Sequence, residues 1–480
     1  MVYQQLPKMR LLRDKYQPMK KILIVISNQM LYRNFILSDA FSEIEKMYEC
    51  SYIFYNELPD ELIKKSNYVK MDKKFSDDQP QYNFVQKISI LFNDHLMRKN
   101  IRKSKTFAFR LSRKSKGIKY LKINFKRRPI ISIFRFIFYI LITKPSRFIL
   151  DLLPVKFFFL FYSKLITSKT RLLHTIKQFE GNLCLIPTNG ADPQLSLIIY
   201  LCKKYKKHSH LCVDNWDNLS SKTILAEVPD SVSVWSKQSA KHAKDIQGIR
   251  QSDIHIAGCS RYDYYFNYLS RSNNKTSSNF VLFLGTALHY DEERFVNIAQ
   301  EIISKFNANK STEKKLELIY RPHPLRQIHS EKIYSGQGLS KLVIMDTAVS
   351  LMDENELQRQ VELISSSKFV IGGLTSMLLE SNILYKKYIA IAIDDEKTHT
   401  NQKNAFFSYT HFKGVESLTH VNLCFSVEAF SLMIESFLRD IEKNISSEDL
   451  KSFDSNREYF IHKPQNSYKK NILDIISKYA

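Results

Sequence analysis

The sequence predicts an α/β protein built from two Rossmann-like domains. Short β-branched runs alternate with helical stretches on both sides of residue 270, and a polar run without one apolar side chain, Ser270 to Asn279, separates the two series. The composition, 44% apolar and 25% charged over 480 residues, belongs to an ordinary globular chain of two or three domains.

In the first domain, expected over residues 1–269, Lys21 to Ser27 (KILIVIS) reads as a strand, Leu31 to Met47 as a helix and Cys50 to Tyr55 as a second strand. Further strands follow at Leu183 to Pro187, His210 to Val213, Ser231 to Trp235 and Ile254 to Ala257, with a helix opened by Asp192-Pro193. Past the linker, 270–279, a second domain over 280–425 restarts the alternation. Its strands are Phe280 to Leu284, Leu316 to Tyr320, Leu342 to Met345, Phe369 to Ile371 and Tyr388 to Ile393, and its helices Asp291 to Phe306, Glu354 to Ser365 and Ser376 to Tyr385. A tail over 426–480, helical from Val427 to Ile445, has the length to cross back onto the first domain. Two such domains place a cleft between the carboxyl ends of two parallel sheets, where ligands of open α/β sheets bind.

The formal net charge of +24 invites a nucleic-acid reading, but the charge is local. Arg98 to Lys177 holds 22 Lys and Arg against one acid, Asp151, which leaves the other 400 residues at +3. Arg98 to Arg128 is basic throughout, Ile130 to Thr143 reads as an amphipathic helix, and a Phe-rich element follows. Basic and aromatic residues are segregated, whereas strand-binding surfaces interleave them for stacking, so nucleic acid is not the expected partner. The pattern fits an interfacial membrane segment, with Arg127, Arg128, Phe134, Arg135, Phe138, Phe157, Phe158 and Phe159 on an anionic surface. It also reads as a helical hairpin of the first domain with solvated lysines. The longest uncharged run in this stretch, Phe136 to Thr143, is far short of the ~20 residues needed to span a bilayer.

Ile22 to Ile26 is too short for the core of a secretory leader, and the six scattered cysteines form no C-x-x-C pair. A reduced, cytoplasmic protein, peripheral on the inner face of the cell membrane, is the expectation.

Three turns of the second domain favour anions. Tyr320-Arg321-Pro322-His323-Pro324 leaves a strand through two prolines, placing Arg321 and His323 at the ligand-binding edge. Gly372-Gly373-Leu374-Thr375-Ser376 joins a strand to a helix whose first turn offers N–H groups and two hydroxyls, and Glu380 lies one turn on from Ser376, placed to accept from a ribose or to lie on the helix surface. Gly285-Thr286 ends the first strand of this domain.

In the first domain, Asp214-Asn215-Trp216-Asp217-Asn218 offers carboxylates, amides for a polyol and an aromatic face for a sugar, although an Asx-rich turn anchored by its tryptophan would look the same. Asp192 is a second carboxylate, with a plain helix N-cap as the simpler reading. No P-loop, G-x-S-x-G or H-E-x-x-H is present, and no metal or cofactor is expected.

Taken in order, DNWDNLSSK, SVSVW, IHIAGCSRYDYY, RPHP and GGLTSMLLES resemble bacterial GT-B-fold glycosyltransferases of surface-polysaccharide assembly, such as those of capsule and lipopolysaccharide, a group that shades into the CDP-glycerol glycerophosphotransferases. The histidine–proline turn paired with a Ser/Thr turn is also similar to bacterial sialyl- and Kdo-transferases. The resemblance implies a nucleotide-sugar donor held by Gly285, Thr286, Arg321, His323, Gly373, Thr375, Ser376 and Glu380. It further implies an acceptor, lipid-linked or a glycan, near Asp214, Asn215, Trp216 and Asn218, and metal-independent in-line displacement with Asp217 as base and Asp192 as the second choice. A CDP-glycerol glycerophosphotransferase and a non-hydrolysing nucleotide-sugar epimerase are the alternatives.

Overall fold

The computed structural model describes residues 19–54, 67–70, 80–115, 152, 154–167, 172–190, 192, 194–271, 278–288, 290–323, 336, 338–346, 355–396, 400–442, 447–463 and 465–480. The helix expected over Ile130 to Thr143 and the middle of the linker lie outside them.

Among the described residues, thirteen strands form two wholly parallel sheets. The first contains β1 (Lys21–Ile26), β2 (Glu49–Phe54), β3 (Asn67–Lys70), β4 (Leu183–Thr188), β5 (His208–Val213), β6 (Ser231–Val234) and β7 (Ile254–Ile256), in the order β3-β2-β1-β4-β5-β6-β7. The second contains β8 (Phe280–Leu284), β9 (Glu317–Arg321), β10 (Val343–Met345), β11 (Val370–Gly373), β12 (Tyr388–Ile391) and β13 (Val421–Cys424), in the order β10-β9-β8-β11-β12-β13. Both orders reverse direction beside their first strand, between β1 and β4 and between β8 and β11, and such switch points open a crevice at the carboxyl edge. The continuous apolar character of the strands follows from burial on both faces: Ile22 to Ile26 are all at most 2% exposed, and so are Val370 and Ile371. The sequence pattern misses β3 and β13, four residues each, because so short a run carries little periodicity.

The helix expected over Leu31 to Met47 is broken. Gln29–Leu31 continues into a π-helical turn over Tyr32–Leu37, Asp39 has a positive φ of 58°, and a new helix starts at Ser42. The cause is a polar side chain with a distant obligation. Asn34, 1% exposed, donates to Asp214 at 2.6 Å, while the Ser38 hydroxyl takes the Asn34 carbonyl at 2.5 Å. Local hydroxyl-to-carbonyl bonds of this kind compete with the helical ladder.

The tail does return to the first domain. In the helix Tyr468–Ile476, Tyr468, Ile472 and Ile476 are at most 2% exposed and pack with Ile22, Ile24 and Tyr52. Asp263 accepts from the Tyr468 N–H at 2.8 Å, Tyr479 stacks on His208, and Lys20 donates to the Ala480 carbonyl. All six cysteines are free thiols. Among the described residues, no helix is long and apolar enough to cross a membrane.

Because Ile472 fills the first domain's core from the far end of the chain, Ile472→Ala should lower stability by about 2–5 kcal/mol in urea denaturation. A loss below about 0.5 kcal/mol would mean that the tail is only loosely docked.

Candidate functional site

A cleft of about 720 Å³ lies between the two sheets. Its first wall is the loop after β5, with Asp214, Trp216, Asp217 and Lys222. Its second is the carboxyl edge of the other sheet, with Thr286, His323, Leu374, Thr375 and Ser376. Asp94, Met97, Arg110 and Leu111 add a third, and Tyr409, His411 and Phe412 reach in from the second domain. The fold therefore brings together most of the residues singled out on the two sides.

The loop after β5 is held by its own amides. Asn215 accepts from the Trp216 N–H at 2.9 Å, and Asn218, 1% exposed, accepts from the Asn215 N–H at 2.6 Å and donates to the Asn189 carbonyl at 2.6 Å. Both amides shape the Asx turn; Asn218 is engaged through its oxygen and its nitrogen, and Asn215 through its oxygen.

The two aspartates differ sharply. Asp217 sits 3.5 Å from the Lys222 ammonium and accepts from Ser221 at 3.0 Å. Burial pushes its carboxyl up, but Lys222, His411 and Ser221 outweigh that and hold it below the usual range. Asp214, 2% exposed, accepts from Asn34 through Oδ1 only, and its Oδ2 has no partner. Here burial wins over Arg261 and Asn34, and the carboxyl lies above the ordinary aspartate value. Asp214, not Asp217, has the free oxygen and the higher basicity of a general base. Asp192 lies outside the cleft. It accepts from the Gln194 N–H at 2.8 Å ahead of the helix Leu195–Lys204, and burial raises its carboxyl against that bond and one from Ser27.

In the second domain Arg321 turns away from the cleft. It is 6% exposed, donates to Asp346 at 2.8 Å and also pairs with Glu356, so two carboxylates already neutralise the charge expected to meet an anion. Glu380 is likewise buried at 1%. It accepts from Tyr265, from Gln360 at 2.6 Å and from Ser376 at 3.3 Å, and it stands 3.6 Å from Arg261. Its link to the cleft runs through the Ser376 hydroxyl.

His323, Thr375 and Ser376 do line the cleft, and Thr375 also accepts from the Met377 N–H at 3.2 Å. The glycines serve packing. A Cβ on Gly285 would stand 2.6 Å from the His323 main-chain nitrogen, and one on Gly373 would stand 2.6 Å from the Gln402 side-chain amide and 2.7 Å from the Thr286 methyl. Two N–H groups expected to cradle an anion are engaged, Leu374 by Gln402 at 2.9 Å and Thr286 by Glu292 at 3.0 Å.

Sequence reasoning missed His411 and Arg110. His411 is 4% exposed and its ring lies 5.0 Å from that of Trp216. Burial, against the attraction of Asp217, pushes its imidazole down to about 4, so it is neutral at pH 7, and Nδ1 has no partner. No local motif marks it, because its neighbours in the cleft are remote in sequence. Arg110 is hidden inside the basic run.

On the expected membrane surface, Phe159 is 4% exposed and stacks on Phe92 at 5.7 Å, inside the core. Phe157 on the same helix, Val155–Thr167, is 68% exposed, with Leu160 at 52%. The outward face is thus Phe157 and Leu160. Arg127, Arg128, Phe134, Arg135 and Phe138 lie outside the described residues, as does the side chain of Phe158.

Gly373→Ala should cost about 1–3 kcal/mol of stability, by the overpacking of Gln402 and Thr286. A variant of native stability with altered ligand binding would instead assign the glycine to ligand approach.

No family model matches the chain and no curated sequence is similar to it; the likeness is to solved structures. The chain is similar to UDP-GlcNAc 2-epimerase from Neisseria meningitidis bound to UDP-GlcNAc (TM-score 0.53, 11% identity, 95% of this chain and 100% of the other). It is also similar to S. aureus MnaA with UDP (0.52, 12%, 96% and 97%) and to a UDP-N-acetylglucosamine 2-epimerase structure from Listeria monocytogenes (0.51, 10%, 96% and 97%). Over nearly their whole lengths these chains and this one share a single architecture, and the protein has the two-domain GT-B fold.

Proposed function

We propose that the protein is a glycosyltransferase that moves a sugar from a nucleotide-sugar donor to a hydroxyl of a lipid-linked or glycan acceptor at a membrane surface. The observation that carries this reading is the cleft itself: a carboxylate with one unpaired oxygen, Asp214, stands opposite His323 and the hydroxyls of Thr375 and Ser376, with Trp216 packed beneath the loop that carries it. The carboxylate suits an acceptor hydroxyl, and the opposite wall suits the phosphate of a departing nucleotide.

In this mechanism Asp214 takes the proton of the acceptor hydroxyl as its oxygen attacks the anomeric carbon. The bond from that carbon to the donor phosphate breaks in line, and the leaving phosphate is met by His323, Thr375 and Ser376. Asp217, paired with Lys222, holds the loop. The displacement moves no electrons between carriers, so no cofactor is proposed. The neighbouring helix face of Phe157 and Leu160, exposed beside a basic segment, supports peripheral attachment to an anionic leaflet. A 2-epimerase reading draws on the same fold and differs in needing no acceptor.

With a panel of UDP-, GDP-, dTDP-, CMP- and CDP-linked donors, nucleotide release should require an added acceptor. Conversion of a donor into its epimeric sugar nucleotide without acceptor and without net nucleotide release would establish the epimerase instead, and release of CMP from CDP-glycerol would establish a glycerophosphotransferase.

Asp214→Asn should lower kcat by about 10²- to 10⁴-fold. As the base must be ionised, activity should fall as pH drops through a value above the ordinary aspartate range, since burial raises Asp214. An acidic limb below that range, with Asp214→Asn fully active, would remove Asp214 as the base. Liposome flotation checks the membrane contact: Phe157→Glu with Leu160→Glu should weaken binding to anionic vesicles, and equal flotation of the double variant and wild type would remove that face from the account.

A further inference from the structure

We propose that Arg110 is a phosphate-binding residue of the cleft, contributed by the basic segment. The inference rests on the reading of the cleft as a nucleotide-sugar site and names the cation that Arg321 does not supply. Arg110 lines the cleft from the helix Lys105–Ser115. Its Nη1 donates to the main-chain carbonyl of Ser221 and, at 3.3 Å, to that of Lys222. A carbonyl fixes a guanidinium without neutralising it, and among the described residues no carboxylate lies within 4 Å of Arg110.

Lys222, the other lysine or arginine lining the cleft, is compensated, and so are Arg261 and Arg321 behind it, while Arg33, half-buried near Asp214, donates to the Asn34 amide oxygen. Lys222 lies 3.5 Å from Asp217, Arg261 3.6 Å from Glu380, and Arg321 is enclosed by Asp346 and Glu356. Arg110 thus brings a full positive charge into the site, with its remaining N–H groups in the planar fork that suits phosphate oxygens.

Its position is also set from both domains. Ser104 donates to the Ser220 carbonyl at 2.8 Å and is 2.7 Å from the Thr410 hydroxyl. Thr106 accepts from the Thr410 N–H at 2.8 Å, and the Phe109 ring meets that of Tyr409 at 5.7 Å. The helix is therefore bolted across the seam between the first domain's loop and the second domain's, and its arginine is held facing a shared space. A rigid guanidinium loses little entropy when it binds.

The phosphate has two possible sources, the donor's diphosphate and the phosphate of a lipid-linked acceptor, and the chemistry of recognition is the same. Titration calorimetry with inorganic pyrophosphate on the full chain tests the residue without requiring catalysis. Wild type should bind, Arg110→Gln should bind about 10- to 100-fold more weakly, and Arg110→Lys should fall between them. Arg102→Gln, an exposed position on the same segment, should bind as wild type does. Pyrophosphate affinity equal in wild type and a folded Arg110→Gln, or absent in wild type, overturns the proposal, as does a folded Arg110→Lys no better than Arg110→Gln.

Two further arms separate the sources. If the donor phosphate is the ligand, Arg110→Gln weakens a nucleoside diphosphate and leaves the nucleoside unchanged; if the acceptor phosphate is, it weakens a short polyprenyl phosphate and leaves the polyprenol unchanged. Arginine-dependent pyrophosphate binding in a protein that releases no nucleotide from any donor would preserve the site and reject the glycosyltransferase reading.

Discussion

The cleft depends on the packing of Trp216. Its ring, 4% exposed, meets His411 at 5.0 Å, Phe412 at 5.5 Å and Phe460 at 6.4 Å, all three carried by the second half of the chain. Trp235, Tyr262 and Tyr265 extend the same core from the first domain toward Leu374 and Leu378. A seam of this kind is a hydrophobic interior shared by two domains, and burying aromatic rings there is worth several kcal/mol. It fixes the loop after β5 opposite the carboxyl edge of the second sheet, so the residues that face each other across the cleft do so because an apolar contact beside them sets their separation.

Polar chemistry then occupies what the apolar seam leaves open. Buried charges must be paired or hydrogen-bonded, and most are: Arg321 lies between Asp346 and Glu356, and Glu380 is surrounded by Tyr265, Gln360 and Ser376. Two incompletely answered groups lie on the cleft itself. Asp214 keeps one bare carboxylate oxygen, and Arg110 keeps a charge answered only by carbonyls. Unpaired groups are costly in a fold that gains nothing from them, and both of these face the same cavity.

The architecture was legible before any coordinates. Ile22 to Ile26 and Val281 to Leu284 are apolar on consecutive residues, a pattern that only a strand covered on both faces sustains, and the Ser270 to Asn279 run interrupts it once. The site was legible in part. Asp214, Trp216, His323, Thr375 and Ser376 all lie at carboxyl ends of strands, and the fold class alone places such residues on a cleft.

Roles were harder to read than places. Arg321 and Asp217 looked available because their partners, Asp346 and Glu356 for one and Lys222 for the other, enter through folding or through the curl of a loop. Phe159 could not be told from Phe157, since only the packing of Phe92 and Tyr200 decides which of these two rings points inward. Periodicity is a local property, and the sequence by itself therefore determined the longer strands, though not the four-residue β3 and β13, together with the two-sheet architecture and the edge at which a ligand of such a fold binds. Which charges remain unpaired at that edge is a property of neighbours hundreds of residues apart, as with Thr410 beside Ser104 and His411 beside Trp216, and only the tertiary structure decided it.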